Sequence, residues 1–120
     1  YVEDNLANLK LIERLFARQQ EVTLLSALQG RVSLDLAREH RPDLVLLDLH
    51  LPDVPGQEVL RRLQEDPSTR DIPVVVISAD ATAGQIDRLR AAGAHAYLTK
   101  PLDVTQFLNV VDDLRRRGAA

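Results

Sequence analysis

Two kinds of apolar pattern take turns along this chain. Short unbroken runs, Leu44 to Leu47 and Ile72-Pro73-Val74-Val75-Val76-Ile77, carry no polar alternation. They predict strands buried on both faces, as in a parallel sheet covered by helices. The second run is the most β-branched in the chain, which stiffens its side chains and suits a strand. Between the runs, apolar residues recur every three or four positions, the spacing of one helix face. Leu6, Leu9, Ile12 and Phe16 mark a first helix, and Val32, Leu36 and Ala37 the inner face of a second. Val59, Leu60 and Leu63 do the same for a helix from about Gly56 to Glu65. A fourth helix is predicted from about Ala83 to Ala92, and a last one carries Phe107, Val110, Val111 and Leu114 inward.

Local punctuation agrees with these elements. Pro42 closes the second helix, Asp66-Pro67-Ser68 the third and Gly93 the fourth, while Asp103 and Gln106 have capping-box spacing at the start of the last. Two further strands are expected: Glu21 to Ala27 (with Val22, Leu24 and Leu25), followed by a Gln29-Gly30 turn, and a short one, Ala96 to Leu98, leading into Lys100-Pro101. Tyr1-Val2-Glu3 reads as the tail of a strand whose beginning precedes residue 1. The first strand is therefore expected to be truncated; the chain is either a stand-alone unit or a fragment of something larger, and the clipped strand favours the fragment. Strands and helices alternate with connections too long for hairpins, which implies right-handed crossovers. The expected fold is α/β: a doubly wound five-stranded parallel sheet in a three-layer α/β/α arrangement, one domain over residues 1–120.

Composition narrows the class without naming a chemistry. A hydrophobic share of 45% and a charged share of 28% are ordinary for a globular domain and suggest neither disorder nor a membrane span. Tyr1-Val2-Glu3-Asp4 is no signal peptide, so a cytoplasmic location is expected. With no cysteine there is no disulfide framework and no thiolate metal site. The net charge of -3 argues against a nucleic-acid footprint. The basic run Arg115-Arg116-Arg117 falls at the end of the last helix, where cations complement the macrodipole.

The chemistry lies where strands end. In open parallel sheets, ligands bind outside the carboxyl ends of the strands. Those ends carry Glu3 and Asp4, then Asp48, Ser78 and Lys100, whereas Ala27 contributes nothing. Crowded carboxylates need a counter-charge, and oxygen donors without a His or Cys cluster suit a hard cation such as Mg2+. Acids, a metal, a lysine and a hydroxyl together can handle a phosphoryl group. Taken singly, each has a plainer role. Glu3 and Asp4 could merely start the first helix, Ser78 could be a strand-end hydroxyl, Lys100 a surface lysine, Tyr97 a half-buried strand aromatic and His50 a rim residue. The joint occurrence is what points to a site.

The sequence resembles the receiver domain of two-component response regulators over nearly its whole length. The resemblance rests on Val2-Glu3-Asp4-Asn5, on Pro42-Asp43-Leu44-Val45-Leu46-Leu47-Asp48-Leu49-His50-Leu51-Pro52, on Val76-Ile77-Ser78-Ala79 and on Tyr97-Leu98-Thr99-Lys100-Pro101. It implies a flavodoxin-like sheet of order 2-1-3-4-5, with Asp48 as phosphoacceptor. It also implies an Mg2+ site made by Asp4, Asp48, the His50 main-chain carbonyl and, through water, Glu3. Lys100 would bind phosphate, with a cis bond to Pro101, and Ser78 and Tyr97 would be the switch pair. Phosphorylation would draw Ser78 and Lys100 in, let Tyr97 turn inward, and repack the surface of the fourth helix, fifth strand and fifth helix for an output partner. His50 and Asp80 would govern dephosphorylation. The donor would be a sensor histidine kinase or a histidine phosphotransfer domain, and the start of the chain is similar to receivers of hybrid histidine kinases. No separate enzymatic turnover is implied for the domain alone.

Other classes fit less well. A flavodoxin-like cofactor-binding module wants glycines and hydroxyls after the first strand, where Glu3-Asp4 stands. Asp48-Leu49-His50 is similar to the Asp-x-His of corrinoid-binding domains, but Asp53 occupies the expected glycine position and the motif follows the wrong strand. An aspartyl-phosphate hydrolase needs a second acid two residues after the nucleophile, where His50 stands.

Overall fold

The computed structural model describes residues 1–3, 5–17, 24–79, 82–100 and 103–119, with side chains through residue 114. In chain order the elements are α1 (Leu6–Phe16), α2 (Gly30–His40), β1 (Val45–Asp48), α3 (Gly56–Glu65), β2 (Val74–Ser78), α4 (Ala83–Ala91), β3 (Ala96–Thr99) and α5 (Val104–Ala119). All four residues of β1 and all five of β2 are buried, which is why neither run shows polar alternation.

The strands β1, β2 and β3 pair in parallel in that order, with Val45 opposite Val74 and Val76 opposite Tyr97. On the free side of β1, Val2 forms parallel bridges to Leu47 and to Ala27. Its N–H donates to the Leu46 carbonyl at 2.8 Å, and Glu3 N–H donates to the Ala27 carbonyl at 3.0 Å. The segment at Val2 thus lies between the segment at Ala27 and β1, which reproduces the expected order 2-1-3-4-5. Residues 21–23 of the expected second strand lie outside the described residues, and Ala27 joins the sheet as a single bridge.

Alternate strand residues feed two cores, one per face of the sheet. Leu46, Val75, Ile77 and Leu98 meet Leu9 and Ile12 of α1 and Phe107 and Val111 of α5. There the rings of Phe16 and Phe107 lie 5.8 Å apart and tilted. Leu47, Val74, Val76 and Tyr97 meet α2, α3 and Leu89 of α4 on the other face. Helix ends follow the local chemistry. Asn5 caps α1 by accepting from Ala7 and Asn8 N–H, Asp103 accepts from Gln106 N–H, and Gly93 takes the positive φ of 112° after α4.

One helix face differs from expectation. The buried side of α2 is Gly30, Ser33, Leu34 and Ala37, whereas Val32 is 44% exposed and Leu36 half-buried. The helix is turned by close packing at its start: a Cβ on Gly30 would lie 2.8 Å from Val59 Cγ2, and Ser33 Oγ donates to the Gly30 carbonyl. Periodicity alone could not see that contact with α3. Leu6 on α1 is likewise outward, 58% exposed. Among the described residues no helix is long and apolar enough to cross a membrane.

Candidate functional site

The register that aligns the strands also aligns their ends. Asp48 pairs with Ile77 and Ser78 with Thr99, so Asp48, Ser78 and the residue after β3, Lys100, emerge at one edge of the sheet beside Glu3. Backbone bonding ties two of these ends together, Lys100 N–H donating to the Ser78 carbonyl at 2.9 Å. Glu3, Asp48 and Ser78 are all essentially removed from solvent, at 0%, 1% and 0% exposure. Lys100 reaches in from the rim. Its Nζ lies 2.5 Å from Asp48 Oδ2 and 3.4 Å from Glu3 Oε1. The other oxygen of Asp48 accepts the N–H of His50 at 2.9 Å, and Asn8 Nδ2 donates to Glu3 Oε1 at 2.8 Å.

Two buried carboxylates sharing one ammonium cannot be equivalent. Burial and the neighbouring Asp48 push Glu3 well above the usual carboxylate range. Burial works the same way on Asp48, but bonding from Glu3, Lys100 and the His50 N–H outweighs it and holds Asp48 below its ordinary value. Lys100 is pulled down by burial and raised more strongly by Asp48 and then Glu3, so it stays firmly cationic. Asp48 is therefore the more readily ionised member of the pair.

The loop after Asp48 is closed at both ends. Gly56 N–H donates to the Leu49 carbonyl at 2.9 Å, and a Cβ on Gly56 would lie 2.5 Å from Leu49 Cα and 2.7 Å from the Asp48 carbonyl oxygen. Only glycine permits that approach of α3 to the loop. Earlier in the loop, Asp53 reaches α2 and accepts from Gly30 N–H at 2.8 Å and Arg31 N–H at 3.0 Å. Sequence reasoning missed this cap and the Asn8–Glu3 bond. The available signal was Gln29-Gly30, a helix start with no capping side chain of its own.

Of the residues singled out from sequence, Glu3, Asp48 and Lys100 come into direct contact, and Ser78 stands on the adjoining strand end. The side chain of His50 is exposed while its main chain faces Asp48. Tyr97 is already inward, 9% exposed and packed with Leu89 and Ala94, so burying its ring requires no turn from solvent. Asp4, Asp80 and Pro101 lie outside the described residues.

Among the described residues no group of three metal-ligating side chains is gathered. The donor set nevertheless fits a hard cation. Glu3 Oε2 is buried without a hydrogen-bond partner among them, and two carboxylates face a single lysine.

Comparison with known proteins converges on one family. The family model described as the response regulator receiver domain matches residues 1–112. The polar-differentiation response regulator DivK of Brucella anthropi is 43% identical over 110 residues, covering 92% of this chain and 89% of the relative. Among solved structures, the receiver domain of the sensor histidine kinase PA1611 from Pseudomonas aeruginosa superposes with a TM-score of 0.81 at 27% identity, covering 96% of this chain and 91% of that one. That structure has magnesium coordinated in its active-site cleft. The phosphorylated cyanobacterial phytochrome response regulator RcpA gives a TM-score of 0.77 at 30% identity, with coverage of 94% and 86%.

Proposed function

We propose that this chain, which belongs to the response regulator receiver domain family, accepts a phosphoryl group on Asp48 from a phosphohistidine and passes the signal on by a change of surface. The observation that carries this reading is the buried Asp48 carboxylate held between the Lys100 ammonium at 2.5 Å and the His50 N–H at 2.9 Å. A carboxylate so placed needs no base. One of its oxygens forms a bond to phosphorus as the phosphorus–nitrogen bond to the donor imidazole breaks, and the electron pair of that bond leaves with the imidazole. Lys100 then neutralises oxygens of the transferred group, and Ser78 supplies a hydroxyl to one of them.

Mg2+ would be held by Asp48, the His50 main-chain carbonyl, Asp4 and, through water, Glu3. When bound it would add positive charge against the phosphoryl oxygens. The magnesium in the PA1611 receiver supports a divalent ion at this edge of the fold. The donor would be a sensor histidine kinase or histidine phosphotransfer domain. The output surface would be α4, β3 and α5, with Ser78 and Tyr97 as the switch pair. Residues 1–120 would form a single receiver domain, cytoplasmic and without turnover of its own beyond assisting its phosphorylation and dephosphorylation.

Incubation of the purified chain with a small phosphodonor such as acetyl phosphate and Mg2+ tests the assignment. Incorporation of one phosphoryl group, labile to alkali and to hydroxylamine as an acyl phosphate is, is expected and should be abolished in Asp48→Asn. Labelling that persists in that variant would place the acceptor elsewhere.

A further inference from the structure

The bond from Asp53 to α2 is more than a helix cap. It joins two segments 23 residues apart in the chain, and one of them is the loop that carries the His50 main chain to Asp48. The start of α2 has no cap from its own sequence, because Gln29 makes no side-chain bond there. Two backbone donors, on Gly30 and Arg31, would otherwise be orphaned, and both oxygens of the Asp53 carboxylate meet them. Backbone N–H groups, Arg31 first and then Gly30, Val54 and Asp53 itself, hold this carboxylate below its ordinary pKa, so it is an anion at neutral pH. The helix start is also pressed against the loop, since a Cβ on Gly30 would meet Val59 Cγ2 at 2.8 Å, Val54 Cβ at 3.4 Å and Asp53 Oδ1 at 3.5 Å. At the far end the loop is held by Gly56 on Leu49. Between these two anchors the loop offers two groups to the chemistry, the His50 N–H on Asp48 Oδ1 and the His50 carbonyl.

We propose that Asp53 is a positioning residue for phosphoryl acceptance, pinning the loop after Asp48 to the N-terminus of α2 and thereby fixing the His50 main chain against the acceptor carboxylate. The proposal rests on the reading of Asp48 as acceptor and goes beyond it, because Asp53 touches neither Asp48 nor Lys100 in the described contacts. Residues that orient a ligand group act through its geometry, and losing one typically costs about 10–100-fold in metal affinity or activity.

The experiment compares Asp53→Ala, Asp53→Asn and Asp66→Ala in the full chain. Asp66 binds Ser68 and Arg38 at the other end of α3, so its loss controls for general destabilisation. Two quantities are read: hydrogen exchange of the His50 amide in metal-free protein against that of Val75 in β2, and the Mg2+ concentration that half-saturates labelling by acetyl phosphate. In Asp53→Ala, His50 exchange should rise selectively by roughly tenfold and the Mg2+ midpoint by roughly tenfold or more. Asp53→Asn, which keeps one accepting oxygen, should fall between Asp53→Ala and the parent, and Asp66→Ala should change neither. Unaltered His50 exchange, or an Mg2+ midpoint that moves equally in Asp66→Ala, would overturn the proposal. A parent protein that takes no label while His50 exchange still responds would instead remove the acceptor reading, leaving Asp53 as the anchor of the loop.

Discussion

Asn8 Nδ2 and Lys100 Nζ converge on the same oxygen of Glu3, at 2.8 Å and 3.4 Å. Glu3 is thereby tied to the first turn of α1 through Asn8, while Asn5 caps the helix. The arrangement leaves Glu3 Oε2 buried without a partner among the described residues. Burial raises the Glu3 pKa to about 7. The sign follows: a carboxyl harder to ionise folded than unfolded favours the folded state below its unfolded value and loses that stability as pH rises through the folded one. Metal-free protein should therefore lose melting temperature between about pH 5 and pH 8, and Glu3→Gln should flatten that slope, being the more stable protein at pH 8. Parallel pH profiles for parent and variant in thermal unfolding would show that Glu3 ionises freely.

Lys100 is the only cation among the described residues that contacts Asp48, and the pair is largely dry, with 25% and 2% of the two side chains exposed. Lys100→Ala leaves the Asp48 charge uncompensated. Breaking a buried pair costs several kcal/mol, and the partial exposure of Lys100 brings the expected loss to about 2–3 kcal/mol at pH 7. Because the folded pKa of Asp48 is depressed, this stabilisation exists above its unfolded value and disappears as acid protonates it. Urea unfolding should show the penalty shrinking towards low pH. The double variant Lys100→Ala/Asp48→Asn should regain most of it at pH 7. Equal penalties in single and double variants would mean that the lysine acts by packing alone.

Gly56→Ala tests the closure of the loop after Asp48. Its Cβ would stand 2.5 Å from Leu49 Cα and 2.7 Å from the Asp48 carbonyl oxygen, and both are backbone atoms that no rotamer change can move. A destabilisation of about 1–3 kcal/mol is expected, with the loss of labelling rate exceeding what unfolding explains. Gly84→Ala, whose Cβ would meet nothing within 4 Å, serves as the control and should be neutral or stabilising.

The face of α2 separates what the sequence could and could not disclose. The β1 and β2 runs, the Asp66 and Gly93 helix ends and the Asp103 cap were legible because each depends on a local pattern. Asp48, Lys100 and Ser78 were legible as a set because parallel strands deliver their ends to one edge. On α2, however, Val32, Leu34, Leu36 and Ala37 offer two overlapping faces, and the choice was made by Gly30 packing on Val59, a contact between helices. The Asp53 cap escaped for the same reason: its partner is 23 residues away. Leu34→Ala should therefore cost about 2–5 kcal/mol in chemical denaturation, whereas Val32→Ala should stay within about 0.5 kcal/mol. The reverse ranking would restore the face expected from periodicity.

Tyr97 offers the last test, because its ring is buried before any phosphoryl group is present. It stands opposite Val76 on β3 and packs with Leu89 and Ala94, 9% exposed. An aromatic that waited in solvent and entered the core only on activation would contribute little to resting stability. A ring already in the core contributes its full burial, and truncation leaves a cavity beside α4. Tyr97→Ala should thus cost about 3 kcal/mol or more in the unphosphorylated protein, while Tyr97→Phe should cost about 1 kcal/mol or less. If Tyr97→Ala unfolds at the same denaturant concentration as the parent and loses stability only with a phosphoryl analogue bound, the resting ring lies outside. In that case the inward turn belongs to activation. If the full penalty is present without the analogue, the ring belongs to the resting core, and any effect of a phosphoryl group at Asp48 acts on a β3–α4 contact already made.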